Sequence, residues 1–123
     1  MSILLLTSDL MVSSKVAAAG LRVSRKVDTA LSVEALLEKA AANPPTAVIL
    51  DLSVAGLDLP TLVTQLRGVP QPPTIIAFAP HVHAAVLDAA RDAGCDQVLT
   101  RGDFHRRMDE VLAGLALPED ETK

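Results

Sequence analysis

Three residues in this chain of 123 combine a reactive type with a position that needs explaining: Asp9, Asp51 and Arg101. Asp51 ends a short apolar run, Ala47 to Leu50, that reads as a strand buried on both faces. A carboxylate there is costly unless it is solvated, paired or bound to a metal, which places it at the mouth of a sheet. Asp9 follows a second such run, Ile3 to Leu6, through Thr7-Ser8, and Arg101 follows a third, Gln97 to Thr100. Two acids and one cation are a set that can hold a divalent cation or an anionic group, provided the three strand ends meet.

The elements that would bring them together follow from periodicity. After Asp51, Ala55-Gly56 supplies a turn. Asp58 caps a helix whose Leu59, Leu62, Val63 and Leu66 recur at helical spacing, ending near Gly68. Strand, acid, turn and helix make half of a βαβ unit. Ahead of it, Val12, Val16 and Ala19 mark a first helix that Gly20 is placed to stop, and Leu21 to Val27 reads as a partly exposed strand. Ser32 then caps a second helix with Val33, Leu36, Leu37 and Ala40 inward, closed by Asn43-Pro44-Pro45. Beyond a stiff Pro-rich connector, Thr74 to Phe78 is a fourth strand. Val82, Val86, Ala89 and Ala93 mark a fourth helix closed by Gly94, and Gln97 to Thr100 is the fifth strand. A last helix after Gly102-Asp103 turns Phe104, Met108, Val111, Leu112 and Leu115 inward.

Strands alternating with helices predict an α/β fold: one doubly wound, five-stranded parallel sheet with helices on both faces. Ligands of such sheets gather at the carboxyl ends of the strands, which selects Ser8, Asp9, Asp51, Ala79, Thr100 and Arg101. Residues 1 to 117 form one domain and residues 118 to 123 a polar tail.

Composition narrows the function classes. Half of the residues are hydrophobic, which suits a packed domain. A net charge of -4, with 11 scattered lysines and arginines, gives no footprint for nucleic acid. A single cysteine, Cys95, excludes an intrachain disulfide and reads as a small core residue. The first apolar run is too short for a membrane span or a secretory signal, so the expected compartment is the cytoplasm. His81 and His83 fall on different sides of a helix and do not suggest a metal site; His105 reads as exposed on the last helix, and Ser8 as a cap or filler without a base beside it. A flavin-binding relative of this topology would carry a Gly-rich loop after the first strand, but Thr7 to Leu10 contains no glycine. A hydrolase would need a histidine beside the ends of the first or third strand, and the pattern puts none there.

With the elements placed, the chain resembles the receiver domain of two-component response regulators over nearly its whole length. The matching segments are Ile3 to Asp9, Ala47 to Leu59, Thr74 to Ala79, and Ala90 to Arg101. The resemblance implies the flavodoxin-like strand order 2-1-3-4-5. It implies a phosphoacceptor signalling domain, not an enzyme in its own right, in which Asp51 takes a phosphoryl group from a histidine kinase or phosphotransfer protein. Mg2+ would be held weakly by Asp9, Asp51 and the carbonyl of Ser53, and Arg101 would stand in the lysine position that grips phosphate. A downstream protein partner is implied, and no contact with nucleic acid or membrane by this domain. A weak homodimer through helices four and five is also allowed, although Ala84, Ala85, Ala89 and Ala90 offer a modest apolar surface.

The match is partial. In the acidic pair the first acid is Ser8, leaving Asp9; the hydroxyl expected after strand four is replaced by Ala79; Gly102 stands where proline usually follows the lysine; and the aromatic of strand five is Val98. Weak Mg2+ binding and weak switching follow if Asp51 is phosphorylated. The competing expectation is a pseudo-receiver that is never phosphorylated and serves as a protein interaction module.

Overall fold

The computed structural model describes residues 2–115. Its elements are β1 (Ile3–Leu6), α1 (Leu10–Arg22), β2 (Val27–Ala30), α2 (Val33–Ala42), β3 (Ala47–Asp51), α3 (Leu59–Arg67), β4 (Thr74–Ala79), α4 (Ala84–Ala93), β5 (Gln97–Thr100), α5 (Arg101–Arg106) and α6 (Met108–Ala113). All strand pairs are parallel, in the order β2-β1-β3-β4-β5, as the resemblance implied. The expected polar tail, residues 118 to 123, lies outside the described residues.

Period-two alternation splits each central strand between two cores. Ile3, Leu5, Ala47, Ile49, Ile76 and Phe78 face α1, α5 and α6. Leu4, Leu6, Val48, Leu50, Ile75 and Ala77 face α2, α3 and α4. Because both faces are covered, β1, β3 and β4 are apolar at nearly every position, which is why their runs are legible in the sequence. Ser32, Asp58 and Gly94 take the capping roles expected of them: Ser32 accepts from the amide of Ala35, Asp58 from that of Thr61, and Gly94 adopts φ 98°. On the first face, Arg22 of α1 donates twice to Asp109 of α6, at 2.7 and 3.0 Å, tying the last helix to the first.

Four expectations are corrected. Gly20 does not stop α1, which runs on to Arg22; the reversal is made by Ser24 at φ 60°. Gly20 is instead a close-approach position, since a Cβ there would stand 2.5 Å from the carbonyl oxygen of Arg25. Residues 21 to 26 are therefore helix end and turn, and β2 occupies Val27–Ala30. On α4 the buried residues are Leu87 and Ala90, while Val82 precedes the helix at 71% exposure and Val86 is 39% exposed. The last helix begins at Arg101 under a Thr100 cap and breaks at Arg107 into α5 and α6, although its expected inward residues are all buried.

Candidate functional site

The register of β1 on β3 pairs Leu6 with Leu50, so the next residues on each strand, Thr7 and Asp51, are neighbours. Alternation turns both to the α1 and α5 side, with Ile3 and Leu5 on one strand and Ala47 and Ile49 on the other. Thr7 is fully buried and Asp51 is 3% exposed. Their contact is a hydrogen bond: Thr7 Oγ1 donates to Asp51 Oδ2 at 2.7 Å. The second carboxylate oxygen, Oδ1, accepts the backbone N–H of Ser53 at 3.0 Å. Both oxygens of this buried carboxylate are thus held by the chain's own donors, as a buried charge requires.

Thr7 also links Asp51 to Asp9, because the Asp9 amide donates to Thr7 Oγ1 at 3.1 Å. The Asp9 side chain caps α1: Oδ1 accepts from the amides of Met11 at 2.9 Å and Val12 at 3.4 Å. Its Oδ2 accepts from Arg101 Nη2 at 3.2 Å. The strand ends of β1, β3 and β5 therefore meet as doubly wound topology requires, in two linked pairs, Thr7 with Asp51 and Asp9 with Arg101. Ser8 is exposed, and Ala79 closes β4 as a buried methyl with nothing to donate.

Below the site, Phe78 lies beside Asp51 in the β3 to β4 register and stacks on Phe104 with centroids 4.4 Å apart and planes 5° from parallel. This pair forms an apolar floor. His105 packs its ring edge-on to Phe104 at 5.9 Å. It is half-buried, not exposed as the sequence suggested. Burial lowers its pKa from 6.5, the charges of Lys15 and Arg101 lower it further, and Asp9 and Asp51 oppose them. Cys95 is half-buried at the edge of the other core, where burial raises its thiol pKa. His81 and His83 are exposed, and among the described residues no three His, Cys, Asp or Glu side chains cluster as metal ligands.

Thr7 is the residue the sequence reading missed. The signal was available in register: strands starting at Ile3 and Ala47 each reach a polar residue at their fifth position, and parallel pairing that aligns the two starts brings those residues side by side.

No protein-family model matches the sequence, and no curated protein does. Solved structures do match. The signal receiver domain of a response regulator from Bermanella marisrubri superposes with a TM-score of 0.81 at 23% identity, covering 94% of this chain and 98% of that one. The receiver domain of NtrX from Brucella abortus gives 0.76 at 17% identity, covering 94% and 100%. A two-component response regulator from Clostridium difficile gives 0.75 at 17% identity, covering 95% and 99%. What these likenesses share with the chain is the fold. No helix among the described residues is long and apolar enough to cross a membrane.

Proposed function

We propose that this chain, which has the receiver fold, is a signalling module of the two-component type that works by docking to protein partners, with Asp51 serving as a structural carboxylate. The observation that carries this reading is the state of Asp51: 3% exposed, with Oδ2 bonded to Thr7 and Oδ1 to the amide of Ser53. Phosphoryl transfer asks for an exposed nucleophile, a cation that neutralises the transferring group, and fixed donors for its oxygens. Asp51 is covered. Arg101 is bonded to Asp9, and Ala79 adds no donor at the end of β4.

The donor set also argues against a magnesium site. Mg2+ takes oxygen ligands in near-octahedral array and dehydrates reluctantly. Thr7 brings a neutral hydroxyl, not a second carboxylate, to the side of Asp51. The Asp9 oxygens are engaged by two helix amides and a guanidinium. The charge of Asp9 is already paired within the chain, with Arg101.

A second reading is favoured by one observation, the position of Asp51 at the carboxyl end of β3 with an amide on its Oδ1. In it, Asp51 accepts a phosphoryl group from a histidine kinase while Asp9, Asp51 and the Ser53 carbonyl bind Mg2+. Thr7 would have to release Oδ2, and Arg101 would have to leave Asp9 for the phosphoryl oxygens.

Amide NMR spectra of labelled protein, recorded while Mg2+ and then beryllofluoride are added, separate the two. The docking reading expects the amides of Thr7, Asp51 and Ser53 to stay in place at millimolar concentrations. Saturable shifts that vanish in Asp51→Asn would overturn it in favour of a working acceptor, and their spread to Val98 and α4 would measure how much switching survives.

A further inference from the structure

The apolar stripe that α4 keeps out of the core lines a cleft. Val86, Ala85 and Ala89 form one bank; Leu57, Leu59 and Pro60, from the turn after β3 and the first turn of α3, form the other, around a volume of about 700 Å³. Val86 is 39% exposed, and Ala85 and Ala89 are exposed too. Ala85, Val86 and Ala89 are thus an apolar surface left outside the core, while Leu59 on the opposite bank belongs to it. Its charge is of one sign: Asp58 lines it, no lysine or arginine does, and Asp88 and Asp92 stand exposed one turn apart on the solvent flank of α4. Arg91 bonds Asp88 at 2.9 Å, but at two positions beyond Ala89 it falls on the other side of the helix.

We propose that the cleft between α3 and α4 is a docking groove for a basic amphipathic helix of a partner protein. The proposal rests on the docking reading above and names the partner's chemistry. An amphipathic helix fits a groove of this kind by placing apolar side chains at i, i+3, i+4 and i+7 into it while its flanks meet the rim. With an acidic rim and an apolar floor, the flanks must carry lysine or arginine. A second copy of this chain is disfavoured, because a net charge of -4 and the same acidic rim would face each other.

The probe is a synthetic helix of about 18 residues, long enough to span the groove, with leucine on one face and lysine on its flanks; a counterpart carries glutamate for lysine. Both are titrated into the labelled full chain. The expected result is saturable shifts centred on Leu57, Val86 and Ala89 with the lysine peptide, and none with the glutamate peptide. Val86→Asp, and separately Asp88→Lys with Asp92→Lys, should each weaken binding about tenfold or more, as changes at a groove anchor and its rim do. All three positions are exposed, and unchanged amide shifts in β1, β3 and β4 verify that each variant folds. Equal response to both peptides, or wild-type affinity in these variants, overturns the groove. Shifts centred on the exposed Leu10, Met11 and Leu31 would also overturn it while leaving the docking reading intact, since beryllofluoride decides that reading independently.

Discussion

Thr7 donates a hydrogen bond from its hydroxyl to Asp51 across 2.7 Å at the ends of two neighbouring strands, with both side chains buried. A buried carboxylate deprived of such a donor keeps its desolvation cost, so Thr7→Val, nearly equal in shape, should destabilise the fold by about 1 to 3 kcal/mol in urea unfolding. The bond itself is read by a double-mutant cycle with Asp51→Leu: Thr7→Val should cost much less in that background, with a coupling of about 1 to 3 kcal/mol. Strict additivity of the two changes would show that the contact contributes nothing.

The second pair of the site behaves differently because water reaches it. Arg101 and Asp9 are 3.2 Å apart with side chains 35% and 44% exposed, so their coupling should be below about 1 kcal/mol and should fall with added salt. Asp9 has a further role as the cap of α1. Asp9→Asn keeps an oxygen for the Met11 amide and should cost little, whereas Asp9→Ala should cost about 1 kcal/mol more. Equal losses for the two variants would remove the cap from the account.

Which parts of this were legible in the sequence follows from what decides each feature. The central strands are buried on both faces, so composition alone marks them, and the Ser32, Asp58 and Gly94 caps are local chemistry. Thr7 was hidden because it was read by its place in a motif, where Ser8 and Asp9 drew attention, while its role is set by strand register. The buried face of α4 was not legible because a helix this rich in alanine offers two stripes of similar hydropathy, Val86 with Ala89 and Leu87 with Ala90, and packing against β4 and α3 chooses between them. The break at Arg107 carries no glycine or proline to announce it.

Gly20 and Gly102 look alike in the sequence and should respond oppositely to the same change. At Gly20 a Cβ would meet the Arg25 carbonyl oxygen at 2.5 Å and Val27 Cγ2 at 2.9 Å. The first is backbone and cannot swing aside, so Gly20→Ala should destabilise by about 1 to 3 kcal/mol. At Gly102, inside α5, no atom lies within 4 Å of the added Cβ. Gly102→Ala should therefore stabilise by about 0.5 to 1 kcal/mol through helix propensity. Thermal unfolding of both variants checks the signs, and a stabilised Gly20→Ala would disprove the close approach.

His105 makes the stability of this fold pH-dependent from inside the site. Burial, then Lys15 and Arg101, hold its pKa below 6.5, with Asp9 and Asp51 acting the other way. A group whose folded pKa is depressed favours the neutral form in the fold. Its contribution is therefore complete above the unfolded value and is lost as pH falls from about 6.5 through the lowered folded value. Stability should decline over that window, and His105→Gln should flatten the decline. The imidazole resonances of His105 should titrate below pH 6.5, moving lower still in Asp51→Asn, which removes a charge that favours the imidazolium, and higher in Lys15→Gln, which removes one that opposes it. A midpoint at or above 6.5, or one that ignores both substitutions, would separate His105 from the field of Asp51 and Lys15.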